Sequence, residues 1–157
     1  MAPKLKFAIL LSAIAFLCGF VKSFPALSPD KLQDLVNADR KSKGLPTLQL
    51  NTNLNLAAFE HAQDMIIHNY FAHNSPAGIQ PWEWIQKSGY SYAYAGENLA
   101  VGYSDAADLE NSWMNSPSHR ANILSPYFED MGLAVIKSHD STLVVQIFGS
   151  ERQLTKK

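Results

Sequence analysis

The stretch MGLAVIKSHDSTLVVQIF, residues 131–148, decides the fold class. Met131–Lys137 and Leu143–Phe148 are rich in aliphatic and β-branched residues. His139-Asp140-Ser141-Thr142 between them is turn chemistry, so the stretch reads as a β-hairpin. The segments before it read as helices. Ser28-Pro29-Asp30 offers an N-cap, a proline at the first helical position and an acid in the first turn. Leu32, Leu35 and Val36 follow at helical spacing and Gly44 supplies a stop, which predicts a helix over about 29–43 with Arg40, Lys41 and Lys43 at its negative end.

Residues 45–50 read as a short extended link. Asn51 or Thr52 caps a second helix over about 53–69, with Leu54, Ala57, Ala58, His61, Met65 and Ile66 at a period near 3.6. Pro81-Trp82-Glu83-Trp84-Ile85 opens a short helix that Gly89 ends. Ser104-Asp105 caps another, in which Ala106, Leu109 and Trp113 face inward and which Asn115–Pro117 stops. Helices come first and strands last. The expected class is α+β, with helices covering a small antiparallel sheet.

Composition narrows the function. The chain has 157 residues, 13 basic against 14 acidic side chains, and 46% hydrophobic residues, which suits one globular domain. A formal charge of -1 gives no electrostatic case for nucleic acid. One cysteine, Cys18, permits no intrachain disulfide and no cysteine-rich zinc site. His-Glu-x-x-His, P-loop, Rossmann and Gly-x-Ser-x-Gly patterns are absent from the sequence.

The first 23 residues read as an address. Lys4 and Lys6 precede the apolar run 7–21, which is shorter than the ~20 residues that span a bilayer. Cleavage after Ser23 is expected, with an uncleaved N-terminal anchor as the alternative. Removal of 1–23 takes three lysines and no acid, so the formal charge moves from -1 to -4, and the only cysteine is lost. The expected division is a signal peptide or anchor over 1–23, one domain over 24–150 and a polar tail over 151–157.

Among the five histidines, His61 and His68 lie on the second helix and read as helix residues without a functional role; His139 reads as an exposed turn residue. His73 and His119 each follow a helix end, in clusters of small and turn residues. Glu97 stands between Gly96 and Asn98 ahead of an apolar stretch, where a carboxylate needs a partner.

Tyr70-Phe71-Ala72-His73, Gly96-Glu97-Asn98-Leu99-Ala100 and Trp113-Met114-Asn115-Ser116-Pro117-Ser118-His119-Arg120 together resemble the CAP superfamily of cysteine-rich secretory proteins, venom allergens and plant pathogenesis-related proteins. The likeness runs from about Leu27 to Gly149 and is greatest to the short bacterial secreted, SCP-like branch. It implies an α-β-α sandwich with a surface cleft of two histidines and two acids. Carried over, the histidines fall on His73 and His119 and one acid on Glu97. The second acid falls on Ser116, so it is missing here; Glu110, one turn before Trp113, substitutes for it only if its helix presents it to the cleft.

The resemblance implies a secreted binding or interaction module, with Glu97 as the candidate catalytic group if the alternative, a cell-envelope hydrolase, holds. A divalent metal such as zinc would sit on His73 and His119, with Glu97 orienting an imidazole or a water. The competing reading makes His73, Glu97, Ser116 and His119 a hydrogen-bonded network that fastens three loops. The expected partner is an extracellular ligand from the cell envelope, a lipid or a protein, with membrane contact only through an uncleaved N-terminal segment. Trp82, Trp84, Tyr90, Tyr92 and Tyr94 read either as a ligand groove or as core and rim packing. The three tyrosines alternate and would share one face.

Overall fold

A computed structural model describes residues 26–138 and 141–152. The signal peptide or anchor expected over 1–23, the His139-Asp140 half of the hairpin turn and residues 153–157 lie outside the described residues. The chain runs α1 (Pro29–Ser42), β1 (Gln49–Leu50), α2 (Thr52–Ile67), α3 (Pro81–Lys87), β2 (Tyr92–Val101), α4 (Ala106–Asn115), α5 (Pro117–Ile123), β3 (Asp130–Lys137) and β4 (Thr142–Glu151).

Local chemistry accounts for the helix starts. Ser28 Oγ accepts from the Lys31 amide, Asn51 Oδ1 from those of Asn53 and Leu54, and Asp105 Oδ1 from those of Ala107 and Asp108. Pro117 opens α5, a helix the sequence reading did not separate: Ser116 ends α4 and begins α5 in extended backbone.

β3 and β4 form the expected antiparallel hairpin, and β4 pairs antiparallel with β2 on its other side. The sheet order is β1-β3-β4-β2, with β1 parallel to β3 through Gln49 and Leu50. The sheet is therefore mixed rather than purely antiparallel, because α2 carries the chain across one face between β1 and the later strands.

Strand alternation sorts the core into two layers. Ala100, Leu133, Val144 and Phe148 meet Leu32, Val36, Leu109, Trp113 and Ile123 of α1, α4 and α5. Leu99, Ala134, Val145 and Ile147 meet Leu54, Ala57, Ala58, Ala62, Met65 and Ile85 of α2 and α3. This is the α-β-α sandwich.

Two residues set how closely the layers fit. A Cβ on Gly132 would lie 2.1 Å from the Leu54 carbonyl carbon, so the first turn of α2 rests directly on β3. Arg40 is fully buried rather than solvated at its helix end. Its guanidinium donates to the carbonyls of Pro46, Ile123, Ser125 and Phe128 at 2.8, 2.8, 2.8 and 3.3 Å. The rigid fork of donors lets one side chain satisfy four carbonyls in irregular backbone.

Gly132→Ala is expected to lower stability by about 3 kcal/mol or more, since backbone rather than a movable side chain blocks the methyl group. Denaturant titration measures it; a loss below about 1 kcal/mol would show that α2 can lift off β3 without harm.

Candidate functional site

The site begins with Gly96-Glu97-Asn98 in β2. Alternation sends Glu97 to the α2 face and Asn98 to the α5 face. Gly96 leaves room for Phe128 and Asn122, which a Cβ would approach to 2.9 and 3.0 Å. Asn98 is fully buried. Its amide donates to Gln146 Oε1 at 3.1 Å and to the His119 carbonyl at 3.3 Å, and its oxygen accepts from Asn122 Nδ2 at 2.9 Å. The Asn122 amide also donates to the Glu97 carbonyl at 3.0 Å. These bonds tie α5 to the sheet.

Glu97 is buried, and both its oxygens are engaged by imidazoles. His73 Nδ1 lies 2.7 Å from Oε1 and His61 Nδ1 lies 2.7 Å from Oε2. His61 projects from the core face of α2, fully buried and stacked on Trp84 at 5.8 Å between ring centroids. In the sequence, the place of His61 in an apolar stripe is indistinguishable from that of a packed core residue.

His73 stands in the loop after α2. Asn69, at φ 51°, turns the chain out of the helix, and the Ser75–Ile79 turn closes it. The His73 side chain remains 56% exposed. Its hydrogen bond to Glu97 raises its pKa against the opposing effect of burial, so the charged pair forms as pH falls through a raised histidine range.

A cleft of about 290 Å³ opens over this pair, lined by His73, Asn74, Pro81, Trp82, Ala95, Gly96, Glu97 and Asn122. A larger groove of about 550 Å³, lined by Phe59, Gln63, Ile66, Ile67, Ile136, Lys137 and Ser138, is apolar and carries none of the candidate groups.

His119 lies in α5 with its ring 6.3 Å from that of Trp113. Burial lowers its pKa, and the nearby charge of His73 adds to the effect. Its ring makes no hydrogen bond to Glu97 or His73. Ser116 Oγ meets Ser118 Oγ at 3.4 Å and bonds to neither of them. Hydrogen bonds thus join His73 and Glu97 to His61, but not to the side chains of Ser116 or His119.

Glu110 does not face the cleft. It is buried where α4 packs on α1, beside the carboxyl of Asp39, with which it can share a proton. Trp84 is core and Trp82 is rim. The three tyrosines do not share a face. Tyr90 is buried, its hydroxyl donating to Asp130 Oδ2 at 2.8 Å, while Tyr94 stacks on Tyr127 in solvent; a register shift between Tyr92 and Tyr94 breaks the alternation.

The α-β-α layers define a CAP-type domain. Residues 33–148 match the Cysteine-rich secretory protein family, CAP, and the chain belongs to it. It is 40% identical over 108 residues to YkwD of Bacillus subtilis, covering 69% of this chain and 42% of YkwD, so it spans about two fifths of that relative's length. An extracellular SCP-domain protein of Bacillus anthracis superposes with a TM-score of 0.68 at 30% identity, over 80% of this chain and 44% of that one. An outer surface protein of Borrelia burgdorferi gives 0.73 at 23%, over 82% and 98%. NaASP2, solved with Zn2+, shares the fold at 13% identity, TM-score 0.57, over 79% and 81%.

Burial, with the charge of Asp39 adding to it, pushes Glu110 up to about 8. Between the ordinary carboxylate range and about 8 the folded protein keeps a proton that the unfolded chain has lost. Stability from this group therefore falls as pH rises, by up to about 1.4 kcal/mol per unit. Glu110→Gln is expected to be more stable than the parent at pH 8 and to lose that advantage by pH 4. Melting curves across this range test it; a pH-independent difference would show that Glu110 titrates normally.

Proposed function

We propose that this protein is an extracellular binding module whose cleft takes a polar group of a bacterial cell-envelope polymer on His73. The observation that carries the reading is the carboxylate–imidazole pair itself. Glu97 holds Nδ1 of a half-exposed histidine, so Nε2 is the ring atom left for a ligand. When His73 is neutral, Nε2 accepts a hydrogen; when protonated, it donates to an anionic group. The bacterial extracellular and surface proteins that share the fold support a place outside the cytoplasmic membrane, as do the basic and apolar N-terminal residues.

A second reading places a divalent metal on the same atom. A carboxylate behind a histidine orients it for a metal, and His119 is the other imidazole of the site. Among the described residues no group of three His, Cys, Asp or Glu side chains forms a ligand set, and Glu97 has no free oxygen. On this reading an ion would be held loosely, by His73 with His119 as the second donor, rather than in a closed four-ligand site. Such an ion would supply a polarised water, the requirement of the hydrolase alternative.

Co-sedimentation with purified bacterial cell-wall sacculi tests the binding reading. The protein is expected in the pellet, His73→Ala in the supernatant, and His68→Ala in the pellet. Release of soluble wall fragments that Glu97→Gln abolishes would establish the hydrolase instead. Failure of the parent protein to pellet would refute the wall-binding reading. Calorimetric titration with zinc decides the metal: binding that weakens as pH drops through the histidine range, and is lost in His73→Ala and His119→Ala, would establish it.

A further inference from the structure

We propose that His61 is the positioning residue of the cleft. Through Glu97 it fixes His73 in the Nδ1–H form, with Nε2 as a bare lone pair for the ligand. The inference rests on the reading of His73 as the ligand-binding group, and it assigns a role to a side chain outside the cleft lining.

The argument starts from what a carboxylate can accept. Ionised Glu97 carries acceptors only, so each imidazole nitrogen 2.7 Å from it must bear a hydrogen. His61 is therefore protonated at Nδ1. Its Nε2 is buried without a partner, so a second proton there would leave a charged donor unsatisfied in the core. The neutral Nδ1–H form is the one that fits. The same reasoning protonates His73 at Nδ1, but there the other nitrogen belongs to a side chain in the loop that borders the cleft.

The cost of burying His61 points to a purpose. It sits among Ala57, Ala58, Ala62 and Met65, where an aliphatic side chain would bring no unpaired polar atom of its own, whereas the imidazole leaves Nε2 without a partner. What the imidazole adds is one hydrogen bond, and that bond ends on the oxygen that His73 does not use. Trp84 stacks on the ring at an interplanar angle of 14° and prevents it from turning away. Without His61, Oε2 would be a buried acceptor with no donor, and Glu97 would be free to rotate away from His73 into the solvent of the cleft. Released imidazole favours the Nε2–H form, which would put a hydrogen where the ligand needs a lone pair.

Nitrogen-15 NMR of the ring nitrogens reads the tautomer directly, with no ligand present. In the parent protein above the titration of His73, His73 is expected as Nδ1–H. In His61→Leu it should shift to mainly Nε2–H, and sacculus binding should weaken by roughly 10-fold or more. His61→Asn, whose amide nitrogen falls near the position of Nδ1, should restore both. If His61→Leu does not fold, His61→Met serves the same comparison. His73 remaining Nδ1–H in the aliphatic variant, or occurring as Nε2–H in the parent, would overturn the proposal. A tautomer shift in a protein whose parent never binds sacculi would leave the positioning role standing and remove the wall-binding reading instead.

Discussion

A carboxylate taken out of water must be satisfied by what surrounds it. Glu97 meets this constraint with two imidazoles, and among the described residues no lysine or arginine pairs with it. Its two oxygens reach in two directions: one to the core face of α2, the other to the loop beyond that helix. α2 must therefore lie close to the sheet, which Gly132 permits by offering no side chain beneath the Leu54 backbone. The helix position, the loop position and the exposed edge of His73 all follow from one buried acid.

The opposite face of the sheet solves a parallel problem with neutral groups. Asn98, Asn122 and Gln146 bond to one another and to the carbonyls of Glu97 and His119, so the short helix α5 is held by polar side chains as well as by Ile123. Arg40 does the same for the irregular chain around α5, from inside α1. In the absence of disulfides among the described residues, these buried polar contacts fasten segments that have no repeating hydrogen-bond pattern of their own.

The parts legible in the sequence were those governed by local rules. Ser28, Asn51 and Asp105 announce helix starts, and the β-branched runs on either side of residues 139–142 announce the hairpin. His73, Glu97, Ser116 and His119 could be singled out because three motifs occur in family order. The parallel pairing of β1 was hidden, since two residues carry no alternation. Arg40 was hidden because a basic residue at a helix C-terminus is favourable in water too. His61 was hidden because its partner lies 36 positions away and its spacing matches that of the alanines beside it.

The central claim is that one carboxylate binds two imidazole N–H groups at once. Proton NMR of the parent protein and Glu97→Gln tests it most directly. The account predicts two downfield imidazole N–H resonances, assigned to His61 and His73, that disappear together or move strongly upfield when the carboxylate becomes an amide. Either resonance persisting unchanged in Glu97→Gln, or only one being present in the parent, would contradict it.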